Sequence, residues 1–264
     1  AQVATLATDD LQALTTKQLV SMTTAQVMSM TTDQVAALTT DQIVSLLTKQ
    51  VAGMTTAQVA ALTTAQVSGL TTKQLVAMTT KQIAVMETED QQALTATQLV
   101  ALTTLQVAAM TTAQVAALTT DQVVALTTDQ VGNLTTAQLA AFTTAQLVTM
   151  EVDDFAAITT AQITALKTAQ IASLTTAQVV ALETSQVQAL STSAFEKLTT
   201  TQVVELTPAQ VQALSTAQLV ALNTSQANAL KDTQFEKLST AQVAAIETRD
   251  FANLSTAAIA KLTT

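Results

Sequence analysis

Every eighth residue from Leu6 to Leu262 is Leu, Met, Ile or Phe, and none of these 33 positions is polar. Octads of this kind account for all 264 residues. So short and unbroken a repeat leaves no distinct segments from which to assemble a conventional core. Each octad must stack on other octads, and the array grows in one dimension. The expectation is a single continuous array over residues 1–264. It opens and closes inside a repeat, which reads as a segment of a longer chain.

With octad positions labelled a to h, Thr15 is an a and Met22 an h. Position d is Gln in 27 of 33 octads and Asp in four more: Asp10, Asp90, Asp154 and Asp250. Position e is nearly always Val, Leu, Ile or Phe, and b is almost always Thr. The order h-a-b-c-d-e therefore reads L-T-T-x-Q-V, which is a helix start. Thr at a is an N-cap, and Gln three residues on completes a capping box. Leu at h and Val at e flank the cap as a hydrophobic staple. The only proline fixes the register, because Pro208 directly follows Thr207 at the first helical position, where proline is favoured.

The helix start recurs every eight residues, which excludes one continuous helix. At about 100° per residue an apolar stripe repeating every eighth residue drifts by about 80° per octad, and no partner could follow it. The pattern predicts an all-α fold, a superhelical solenoid or tube of very short helices, one per octad. The extended backbone of each N-cap would turn the chain by a constant angle. A β-solenoid is the alternative, since Thr and Val favour strands. Against it stand the lack of period-2 alternation and the scarcity of turn glycines. A helix this short is unstable alone in water, so stacking between coils must hold the array together.

Composition narrows the function classes. The chain has no His or Cys, so no catalytic set is legible and no disulfide framework exists. The expectation is a non-enzyme with no cofactor. A net charge of −9 disfavours nucleic acid, which calls for a basic stripe. Thr and Gln interrupt every apolar run, so membrane insertion is not expected.

Departures from the repeat are few. Phe155, Phe195 and Phe235 lie 40 residues apart in e positions, which suggests a five-octad superperiod, either a duplication unit or a coil of about five octads. Local acid gathers at Asp9 and Asp10; at Glu87, Glu89 and Asp90; at Glu151, Asp153 and Asp154; and at Glu247 with Asp250. Either these are weak calcium candidates, calcium being a cation that wants several oxygens, or they are helix N-terminal acids complementing the dipole. The Gln column could also bond amide to amide between coils. The paired Thr residues would form hydroxyl rows resembling an ice-binding surface.

The octad T-T-A-Q-V-A-A-L resembles the tandem octapeptides of giant secreted or surface-attached bacterial proteins of the adhesin type. That resemblance covers the whole chain and implies a structural stalk or filament-forming segment, located outside the cell or at its surface. The alternative it leaves is a binding module whose face holds a glycan, a protein or a surface such as ice. A second, local match is Leu206-Thr207-Pro208-Ala209-Gln210-Val211, which is similar to the first helix of the DNA-reading repeats of TAL effectors. The second helix and base-reading loop of that family have no counterpart here. An apolar core continues to Ile259 and Leu262, so exposed array ends should match each other. End-to-end self-association into filaments is the partner expectation.

Overall fold

The computed structural model describes residues 3–246. Among them a 3-10 turn at Val3–Thr5 is followed by thirty α-helices, from α1 (Thr8–Gln12) to α30 (Thr240–Ala245), and no strand. The β-solenoid alternative is thereby excluded. The chain falls into two compact units, one ending at Leu134 and one beginning at Thr135. Within each unit every helix packs on the helix three octads further along. Each unit is a solenoid of one-octad helices.

The octad containing α26 (Pro208–Ala213) shows how the sequence encodes the bend. Thr207 is extended (φ −66°, ψ 153°) and its hydroxyl accepts the Gln210 N–H at 3.2 Å. The Thr207 N–H donates to Gln210 Oε1 at 2.8 Å, completing the capping box. After six helical residues Leu214 is extended again (φ −59°, ψ 140°), and its N–H closes onto Val211 O at 3.2 Å. The turn is made by two consecutive extended residues, h and a. None of the described residues has positive φ, so the array needs no left-handed glycine, and the chain contains only three glycines.

Positions e and h form the core. Val211 is 0% and Leu214 4% exposed, and the pattern holds from Val27 to Phe235. Phe155, Phe195 and Phe235 fill e slots like the aliphatic residues elsewhere and are equally buried. Their 40-residue spacing does not correspond to a coil. Helices pack three octads apart, while Gln210 reaches back 28 to 31 residues, into the octad four before its own. One coil therefore holds between three and four octads, not five.

That reach sets the energetics. A helix of five or six residues consists almost entirely of ends, because its first four N–H and last four C=O groups lack intrahelical partners. Gln210 answers both needs with one amide. Its oxygen serves the N-cap of its own helix. Its nitrogen donates to Val179 O at 3.0 Å, Val180 O at 3.2 Å and Leu182 O at 2.7 Å, carbonyls at the end of α22 (Thr176–Ala181) one coil earlier. Gln42 does the same in the first unit, donating to Leu11, Gln12 and Leu14. The Gln column bonds backbone, not neighbouring amides as the sequence suggested, and from Gln34 on it is buried: Gln210 is 2% exposed.

The Gln half of the capping box also persists where the hydroxyl half is lost. Leu47, Lys167 and Lys231 occupy N-cap positions, yet each backbone N–H still donates to the Gln at d, at 2.7 Å in all three. Thr207→Ala should therefore cost only about 1 kcal/mol, the ordinary value of a cap hydroxyl. Chemical denaturation checks this, and a loss several times larger would place the hydroxyl on a par with the amide.

Candidate functional site

The acidic octads of the sequence sit on separate helices. Asp9 and Asp10 are exposed in the first turn of α1. Glu87, Glu89 and Asp90 begin α11 (Thr88–Ala93), and Glu151, Asp153 and Asp154 begin α19 (Val152–Ala156). All lie at helix starts, where carboxylates complement the dipole. No three acidic side chains among the described residues come close enough to hold a metal ion. The calcium reading of Asp9, Asp10, Glu87, Glu89, Asp90, Glu151, Asp153 and Asp154 thus gains no geometry. The candidate octad at Glu247 and Asp250 and the end-face residues Ile259 and Leu262 lie outside the described residues.

Within these octads the carboxylates differ. Glu89 is exposed, and hydrogen bonds from its own backbone N–H and from the Thr88 hydroxyl, at 2.9 Å, hold its carboxyl below the usual range. Asp90 takes the d position and is 2% exposed. Burial pushes its carboxyl up, against hydrogen bonds from Thr64 and the Glu87 backbone, and the charges of Glu87 and Glu89 push it further. It accepts the Glu87 N–H at 3.4 Å, a looser version of the bond each Gln makes. An ionised carboxylate has no hydrogen to donate, so Asp90 cannot bond the carbonyls of the coil below as each Gln does, and its side-chain link to that coil is the hydrogen bond it accepts from Thr64.

The next residue compounds the irregularity. Gln91 stands in the e position, fully buried in a column of aliphatic side chains. Its nitrogen has long contacts to Ile83 O at 3.5 Å and Met86 Sδ at 3.6 Å, and its Oε1 has no partner. Relative to the octad pattern, the amide has slipped one place along the chain. Gln92, on the surface, offsets part of the deficit by donating to Ala117 O at 2.7 Å. The octad of α11 is therefore the one described place where buried polarity and missing bonds coincide.

What the array presents repeatedly is the junction between one helix and the next: core residue, N-cap, first turn, bridging Gln. Ala61-Leu62-Thr63-Thr64-Ala65-Gln66 is one such junction, with Gln66 Oε1 accepting the Thr63 N–H at 2.8 Å. The sequence model of the ALTTAQ repeat, the same six residue types, matches residues 3–40, 39–72, 56–86, 83–120, 106–136, 147–184, 179–216 and 208–240. The chain belongs to the ALTTAQ repeat family. No curated protein matches it. The ALTTAQ motif straddles two helices, and its closing Gln carries the contact between coils.

The sequence alone located the caps, the core and the acids. It did not reveal that Gln reaches the coil below. A partial signal was present: Gln is kept at d in the octads capped by Leu47, Lys167, Glu183 and Lys231, although those starting with Ala7, Glu87, Glu151 and Glu247 carry Asp there.

Proposed function

We propose that this ALTTAQ array is a structural protein without catalytic activity, serving as an extracellular stalk or filament-forming segment of a bacterial surface or secreted protein. The observation that carries this reading is the constancy of the bond between coils. Gln42 and Gln210, in different units, both donate to carbonyls 28, 30 and 31 residues earlier. A bond set repeated in one register adds the same increment with every octad, which is what a spacer requires. Matching apolar coil faces at the array ends would extend the same register from one molecule to the next, a heterologous contact that builds filaments.

The test is a length series. Halving and doubling the number of octads should change particle length in proportion at constant width in electron microscopy, and a dilution series in light scattering should show association through the ends. A particle whose dimensions do not scale with octad number would overturn the reading. A parent reading frame without a secretion signal would remove its extracellular part.

A second reading is favoured by one observation. Thr55 and Thr56 on α7 (Thr56–Ala60), and Thr79 and Thr80 on α10 (Thr80–Ala84), are exposed on helices that pack together. Such hydroxyl rows suit a binding module for a glycan, a protein or an ice surface. Glycan-array binding or thermal hysteresis above background would favour that reading over the stalk.

A further inference from the structure

We propose that two copies of this chain pair side by side through the face formed by α9 (Thr72–Ala77), α12 (Ala96–Ala101) and α15 (Thr120–Ala125). These three helices lie in the first unit, each packed on the next. Their f positions carry Val76, Val100 and Val124, which are 44%, 43% and 41% exposed. Many f positions elsewhere are Ala, Gln, Ser or Gly, so a valine here on three successive packed helices makes an apolar row. Three residues before each valine, on the same helix face, stand Lys73, Thr97 and Asp121, all exposed. The row is therefore edged by a positive, a neutral and a negative residue in order. At its middle, Ala96 takes a b position that is almost always Thr, which removes a hydroxyl from the face.

That order selects a second copy as the occupant. A two-fold axis lying in the interface along α12 reverses the order of the helices and keeps their direction. Each α9 then meets the other copy's α15, so Val76 meets Val124, Val100 meets Val100, and Lys73 meets Asp121 in both halves. Such a contact is isologous and closes at two copies. An apolar row with opposite charges at its two ends is complementary to itself only in this reversed arrangement. In the parallel arrangement Lys73 would face Lys73 and Asp121 would face Asp121. An open groove of about 460 Å³, lined by Thr48, Thr72, Lys73, Val76, Ala77 and Ala101, lies beside Val76 and gives the incoming Val124 room to seat. This lateral contact is independent of the end-to-end association proposed above, because it uses the side of the array and not its end.

A face three helices wide is small, so the pairing belongs at the weak end of interfaces, with a Kd of about 1 μM or higher. Sedimentation equilibrium of the full chain, from about 10 μM to about 1 mM so as to bracket such a Kd, should show twice the 27.4 kDa monomer mass at the upper end. Val100→Glu should abolish the dimer while leaving the circular dichroism spectrum unchanged. Lys73→Asp and Asp121→Lys should each raise Kd at least about tenfold, since each places like charges opposite one another. The double variant Lys73→Asp with Asp121→Lys should recover most of the loss. Monomer throughout the range, association unaffected by Val100→Glu, or no recovery in the double variant would each overturn the proposal.

Discussion

Gln210→Glu is expected to destabilise the array more than Gln210→Ala at neutral pH, and to regain much of that loss in acid. Alanine removes the acceptor for the Thr207 N–H and the donor to Val179, Val180 and Leu182. Leaving such buried groups unpaired, together with loss of the cap, costs about 2–4 kcal/mol. Glutamate keeps the acceptor but aims a second oxygen at three carbonyls that need a hydrogen, in a site 2% exposed. An unpaired buried charge of this kind costs about 3–5 kcal/mol. Burial and the facing carbonyls would raise the new carboxyl's pKa in the folded state. Its neutral form then adds stability that is fully present below the unfolded pKa and is lost as pH rises through the folded one. Protonated, it can donate to Leu182 O as the amide does. Urea denaturation of both variants at neutral and acid pH is the check. A Glu variant no worse than the Ala variant, or one indifferent to pH, would show that the amide nitrogen does not hold the coils.

Why that contact stayed hidden in the sequence follows from its distance. A capping box is local, with four residues within one turn, so Thr207, Pro208 and Gln210 disclose it directly. The core is periodic, so Val211 and Leu214 could be assigned without knowing what they touch. The scarcity of glycine was legible too, though its physical meaning was not. It argued against β-turns, and the structure accounts for it by two extended residues, Leu206 and Thr207, which turn the chain at negative φ. The coil length was not legible, because every octad carries nearly the same residues and any stacking offset looks alike in one dimension. The Phe155, Phe195 and Phe235 spacing offered five octads per coil, but phenylalanine fills an e slot as isoleucine does and marks no neighbour. The offset is set in three dimensions, by the reach of a Gln side chain from d to the carbonyls of an earlier helix.

The acidic candidates teach a related lesson. Counting carboxylates drew attention to Glu87, Glu89 and Asp90 as possible oxygen donors. Burial gives them separate roles: Glu89 lies in water at a helix start, while Asp90 lies between coils in place of an amide. The more consequential departure was Gln91, which looked like ordinary polar sequence beside Gln92. Only its e position, occupied by Ile83 in the preceding octad and Leu99 in the following one, marks it as a polar group inside the core.

Restoring the repeat at that octad, with Asp90→Gln and Gln91→Val together, is expected to stabilise the chain by about 2–5 kcal/mol. The valine removes a buried carbonyl oxygen that has no partner and returns an aliphatic side chain to a fully enclosed slot. The glutamine gives the rung a hydrogen to donate toward Val59, Ala60 and Leu62, which stand 31, 30 and 28 residues earlier, at the offsets used by Gln210. Two readouts separate the halves of the change. Gln91→Val alone should raise stability equally at all pH values, because no titrating group is altered. Asp90→Gln alone should raise it most at neutral pH. The Asp90 carboxyl is pushed up in the folded chain, so its favourable contribution is complete below the ordinary aspartate range and is lost as pH rises through the shifted value. The groups that bear on that shift are Glu87 and Glu89 on its own helix. The two helices packed on α11, α8 (Thr64–Gly69) and α14 (Thr112–Ala117), carry no titratable side chain. The difference between wild type and Asp90→Gln should accordingly shrink as pH falls from 7 toward the acid range. Hydrogen exchange should slow in α7 and α11 before other helices, since those coils now open together with their neighbours. Unchanged stability in the double variant, or a gain that grows in acid, would mean that the α11 octad is already satisfied as it stands.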